Sequence, residues 1–151
     1  MRLLEFLPAG VVYSPRFADF AAAAFLWFMR IVLRPSLADD NIGSPLKAMS
    51  FQFHATLKPG EFFDMQVFVA AVRHRSFDLW IDARGLAGEQ RFSAQLSPIL
   101  IDRRSFTSIS IPEHARQSLR HYRERFGLEG GGEDPLKVGP GAVARGMNDP
   151  Y

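Results

Sequence analysis

Apolar and polar residues alternate through the middle of the chain, and one earlier block is apolar at nearly every position. That block lies within Leu7 to Met29, LPAGVVYSPRFADFAAAAFLWFM. Pro8-Ala9-Gly10 predicts a turn, with Gly10 free to take positive φ, and Val11-Val12-Tyr13 predicts an extended segment. Ser14 is a good N-cap and Pro15 a good first helical residue. The alanines from Ala21 to Ala24 favour helix and let another backbone come close, and Pro35 is expected to stop the helix near Leu33. A helix with so little polar surface must be wrapped on most sides by other structure.

The alternating stretches supply that wrapping. Arg2 to Phe6 reads as a short edge strand. After a polar loop from Ala38 to Pro45, Leu46 to Leu57 alternates, with Met49, Phe51, Phe53 and Leu57 on one face. Lys58-Pro59-Gly60 reads as a turn, and Phe63, Met65, Val67, Val69 and Ala71 continue the period in a long second strand. Arg73 to Ser76 connects it to a third, carrying Phe77, Leu79, Ile81 and Ala83. Gly85 to Gly88 makes another turn, and Gln90 to Ile101 a fourth strand with Phe92, Ala94 and Leu96 inward. Turns at such short spacing predict an antiparallel meander. Ile111-Pro112-Glu113 opens a last, Arg-rich amphipathic helix over Glu113 to Phe126. Composition then shifts to Gly, Pro and isolated charges. Residues 1–126 are therefore expected to form one α+β domain, and 127–151 a disordered tail without a fold of its own.

Composition narrows the function classes. At 151 residues, 47% hydrophobic and 23% charged, the chain is that of an ordinary globular domain able to bury a core. A net charge of only +2 without a clustered basic tract counts against nucleic acid. The chain has no cysteine, which excludes disulfides and thiolate metal sites and is compatible with a reducing cytoplasm, the expected location. The first residues lack the apolar core of a signal peptide. The longest apolar run, Phe20 to Met29, is about half the ~20 residues of a bilayer span and is closed by Asp19 and Arg30, so no membrane segment is expected. His54, His74, His114 and His121 have no paired ligand spacing, and no metal is expected.

One long apolar helix between a first strand and a run of antiparallel strands is the order of a hotdog fold. PAGVVYSPRF, then GSPLKAMSFQFHATLKPGEFFDMQVFV, then VRHRSFDLW together resemble the 4-hydroxybenzoyl-CoA thioesterase family of acyl-CoA thioesterases. The resemblance spans roughly residues 5 to 126, with IPEHARQSL matching the family's closing Ile-Pro helix. It implies an antiparallel sheet wrapped around a long central helix, plus a C-terminal helix. It implies hydrolysis of an acyl-CoA or acyl-carrier-protein thioester to free acid and thiol, with CoA entering only as part of the substrate. It also implies a homodimer or homotetramer with two sites at the dimer interface.

In that family a backbone N–H at the N-terminus of the central helix binds the thioester oxygen, which here means Ser14 or its neighbour Tyr13. The helix end offers partial positive charge where an oxyanion develops. Arg73 and Arg75, with Ser76 in the same Arg-x-x-Ser-Phe hairpin, fall where family members carry basic residues near the CoA phosphates. Arginine suits phosphate through paired donors; a solvated hairpin tip explains the same residues. Arg103-Arg104 is a weaker version of the idea. Phe25, Trp27 and Phe28 are candidates for an acyl pocket or simply for the core.

The family's catalytic carboxylate, an Asp three residues before the motif glycine, falls on Leu7 here. Leucine can neither attack a thioester nor activate water, and such assistance is commonly worth ~10² to 10⁴ in rate. Glu5 lies on the same strand face about 6.6 Å away, at ~3.3 Å per residue. Asp19 sits one turn into the helix, where it either serves the chemistry or merely complements the helix dipole. Asp64 falls on the face opposite Phe63 and Met65, and His54 faces away from the helix. The competing reading is a non-catalytic hotdog module that binds acyl thioesters or assembles with a partner.

Overall fold

The computed structural model describes residues 15–55, 61–126 and 142–147. Helix α1 (Pro15–Phe28) is followed by β1 (Ile42–Gly43), β2 (Leu46–Phe53), β3 (Phe62–Val72), β4 (Phe77–Gly85) and β5 (Gln90–Pro98). Two short strands, β6 (Ile101–Asp102) and β7 (Thr107–Ser108), precede helix α2 (Glu113–Phe126), and β8 (Ala142–Met147) comes last. The principal sheet is antiparallel in the order β2-β5-β4-β3-β8, and β1-β6-β7 form a small second sheet.

The sheet curls around α1 as the alternation and the apolar helix predict. Phe17, Phe20, Ala21, Ala24, Phe25 and Phe28, spaced three or four apart, all turn onto it and are buried. Phe17 packs edge-on against Phe92 at 5.1 Å between ring centres, and Phe20 against Phe63 at 5.0 Å. Met65, Val67, Val69, Leu79, Ile81, Ala94 and Leu96 complete the inner face. Helix α2 adds Ala115, Leu119 and Tyr122 to this core. The Tyr122 hydroxyl donates to the Val67 carbonyl at 2.6 Å, and its ring meets Phe28 edge-on at 5.0 Å.

Several expectations are corrected. The four long strands do not form a simple meander: β3, β4 and β5 do, but β2 pairs with β5. Alternation decides which face each side chain takes, not which strand lies beside it. Met49, Phe51 and Phe53 share the face of Leu96, Ala94 and Phe92, opposite them in register, but β2 is an edge strand, and Met49 and Phe53 stay exposed. The fourth strand ends at Pro98, and Ile101 joins the small sheet instead. Within the stretch expected to be disordered, Ala142–Met147 pair with β3 from Val67 to Phe62. An average over a Gly- and Pro-rich stretch hides one short segment free of proline, and an open strand edge is a ready template for it.

The helix differs too. Its α-helical part ends at Phe28, and Met29–Leu33 form a π-helical turn in which the Arg34 N–H donates to the Met29 carbonyl. Pro35 then lies in a 3-10 turn, Arg34–Ser36; lacking an N–H, it cannot continue the regular ladder. Among the described residues the helix is covered on most sides, as expected, but not on all. Leu26 and Ile31, on the flank away from the sheet, are 65% and 54% exposed.

Candidate functional site

Glu5, Leu7, Tyr13, Ser14, the segments assigned around them and the Lys58-Pro59-Gly60 turn lie outside the described residues. The described part of α1 starts at Pro15, and Asp19 stands on its exposed flank while Phe17 and Phe20 beside it enter the core. At that end Phe17 meets Phe92 and Phe53. At the other end Phe28 lies 6.3 Å from Phe77, the first residue of β4 after the Arg73–Ser76 turn. Pro15, the first described residue of α1, and the arginine turn therefore lie toward opposite ends of a helix about 20 Å long at ~1.5 Å per residue.

The arginine turn is internally tied. The Arg73 N–H donates to the Ser76 carbonyl at 2.8 Å, closing the turn. Its guanidinium donates to both Asp78 oxygens, at 2.8 and 2.5 Å, and the Ser97 hydroxyl adds a third bond to that carboxylate at 2.8 Å. Burial alone would push the Asp78 carboxyl up; the Arg73 and Ser97 hydrogen bonds, with the charges of Arg73 and Lys47, outweigh it and hold the group below the usual carboxylate range. Arg116, from α2, donates to the carbonyls of Arg73 and His74 at 2.9 and 3.0 Å. Ser76 is buried. Arg75 is exposed and makes no ion pair among the described residues, its guanidinium resting on the Ser108 carbonyl and hydroxyl at 3.0 and 3.1 Å. Sequence inspection missed Asp78, although an acid five residues after an arginine across a tight turn is a usable signal.

The other candidates separate clearly. His54 faces the outer side of the sheet, its Nε2 3.3 Å from the Ser93 hydroxyl. Asp64 lies on the outer face of β3, between buried Phe63 and Met65. Phe28 is wholly in the core, whereas Phe25 and Trp27 also line a groove of about 640 Å³ on the outer flank of α1. Leu37, Ile42 and Arg103 close its other side. Arg103 and Arg104 belong to the β6–β7 hairpin, whose tip is held by Asp102: its carboxylate accepts the Arg104 N–H at 2.7 Å and the Asn41 amide at 2.6 Å. Among the described residues no three acidic or histidine side chains converge as metal ligands, and no helix is long and apolar enough to cross a membrane.

No family model matches the chain, and no curated protein matches it in sequence. Solved structures do match. A gentisyl-coenzyme A thioesterase superposes with a TM-score of 0.66 at 19% identity, over 80% of this chain and 95% of that one. A 1,4-dihydroxy-2-naphthoyl-CoA thioesterase from Synechocystis gives 0.64 at 16% identity, over 80% and 90%. A DHNA-CoA thioesterase from Staphylococcus aureus gives 0.67 at 15% identity, over 85% and 91%. At such identities the likeness is one of fold: this chain has the hotdog fold, an antiparallel sheet wrapped around a long helix with a further helix after it.

Proposed function

We propose that the protein is a thioesterase-like hydrolase that cleaves an acyl-CoA, or an acyl-carrier-protein thioester, to free acid and thiol. The observation that carries this reading is the fold: a long helix held by an antiparallel sheet, shared over four-fifths of the chain with the thioesterases above. Backbone N–H groups at the start of α1, at Ser14 or Tyr13, bind the thioester oxygen, and one such donor is typically worth ~3 kcal/mol in the barrier. Glu5 or Asp19 takes the place of the carboxylate that Leu7 cannot supply.

Arg75 is the better phosphate ligand, because Arg73 is occupied by Asp78 and Ser76 is buried. The separation of the arginine turn from the start of α1 favours a site built from two copies, one lending its helix end and the other its arginine. The protein is accordingly a homodimer or homotetramer, and light scattering after size-exclusion chromatography should give two or four times 17.0 kDa.

The decisive experiment is a panel of aliphatic and aromatic acyl-CoAs, followed by release of free thiol from wild type, Glu5→Ala and Asp19→Ala. Turnover in wild type with loss of ~10²-fold or more in one variant supports the reading. If no thioester reacts above background, the hydrolase reading is wrong.

A further inference from the structure

The groove on the outer flank of α1 has a composition that points to a ligand. Its volume, about 640 Å³, is that of sites for small organic molecules. Phe25, Trp27, Leu37 and Ile42 give it an apolar floor. Arg30, Arg34 and Arg103 stand around it, and among the described residues no acidic side chain lines it. Arg34 is held by Asp40 at 2.8 Å, whereas Arg30 and Arg103 have no ion pair among the described residues. An apolar cleft with unbalanced positive charge at its rim suits a molecule that is apolar at one end and anionic at the other.

Two further observations fall at the same place. The hydroxyl of Ser44, in the groove wall, is buried and has no hydrogen-bond partner among the described residues, a costly state that a ligand oxygen would relieve. The helix also changes from α to π at Met29, which lines the groove, and such turns are frequent at functional sites.

We propose that this groove binds an amphipathic carboxylate. The apolar body lies over Trp27 and Phe25, the carboxylate pairs with Arg30 and Arg103, and the Ser44 hydroxyl completes its hydrogen bonds. The site does not depend on the start of α1 or on turnover, so it stands or falls apart from the hydrolase reading.

Tryptophan occurs twice, as Trp27 and Trp80, so Trp80→Phe leaves Trp27 as the sole reporter. Its emission is titrated separately with decanoate, decan-1-ol and CoA. Decanoate should give a saturable change, decanol should bind at least tenfold more weakly, and CoA alone should not compete. Arg30→Gln with Arg103→Gln should weaken decanoate at least tenfold and leave decanol unchanged; Arg103→Gln alone, on an exposed hairpin, repeats the test should the pair fail to fold. Equal affinity for decanol, decanoate affinity indifferent to the arginines, or tighter binding of CoA would overturn the proposal. So would an unresponsive Trp27, the result expected if a second copy fills the groove.

Discussion

Arg73 and Asp78 are joined by two hydrogen bonds across the turn from β3 to β4, and the carboxylate they share is almost fully buried while the guanidinium is 49% exposed. The pair locks the turn. Removing the cation leaves a buried carboxylate with the Ser97 hydroxyl as its remaining side-chain hydrogen bond. Arg73→Ala should therefore cost about 2–3 kcal/mol, at the low end for a broken buried pair because water reaches the guanidinium side. Urea denaturation measures it, and Asp78→Asn in the same background should recover part of the loss. A cost below ~0.5 kcal/mol would mean that the pair is a surface contact.

The same carboxylate sets a pH dependence. Burial raises its pKa, but Arg73, Ser97 and Lys47 together lower it below its unfolded value, which is ~3.9. As pH falls the unfolded chain binds the proton first, so the contribution is complete above the unfolded pKa and is lost as pH drops through the folded one. The stability difference between wild type and Asp78→Asn should be flat from about pH 5 to 8 and shrink below about pH 4. A difference that grew on acidification would reverse the sign argued here.

Tyr122 fixes α2 to β3 through the Val67 carbonyl. Tyr122→Phe removes that bond and keeps the ring against Phe28. The expected loss is about 1 kcal/mol, or roughly 2–4 °C in Tm for a chain of this size. Unchanged thermal unfolding would show that the hydroxyl finds equal hydrogen bonding in water.

The elements of this fold were legible because their physics is local. Helix spacing from Phe17 to Phe28 and the period of two from Phe63 to Val69 each announce a buried face. Strand neighbours were not, since nothing near Leu46 says that its partner is Pro98 rather than a residue of β3. The arginine turn was legible, yet its role was not, because Asp78, which holds Arg73, falls between the apolar positions Phe77 and Leu79 and draws no attention. The groove was invisible for a related reason: Trp27, Ile42 and Arg103 meet only after the small sheet β1-β6-β7 has formed.

Phe106, at the tip of the β6–β7 hairpin, has φ +54° and is 80% exposed. A side chain in that region costs about 1–2 kcal/mol, and at this exposure it recovers little by packing. Phe106→Gly should relieve the strain and lose part of the gain to chain entropy, whereas Phe106→Val should be worse than wild type because branching at Cβ suits positive φ least. The glycine variant is expected to exceed the valine variant by about 1–2 kcal/mol in chemical denaturation. Equal stabilities would mean that the hairpin tip relaxes freely.

The strand Ala142–Met147 separates a disordered tail from a structural one. It covers the edge of β3 over the register Phe62↔Met147 to Val67↔Ala142. A chain ending at residue 141 loses those backbone hydrogen bonds, each worth about 0.5–1.5 kcal/mol net, and is spared the entropy of ordering the strand at ~1–2 kcal/mol per residue. The two nearly offset, so the expected loss is modest, about 1–3 kcal/mol. The consequence for association should be larger. An uncovered β3 presents a row of unpaired N–H and C=O groups beside exposed Phe62, the arrangement that templates edge-to-edge pairing. The truncated chain should show faster amide exchange along β3 and raised light scattering on warming. If exchange and scattering both match the full chain, β8 does not protect that edge, and the compositional reading of the tail is the correct one.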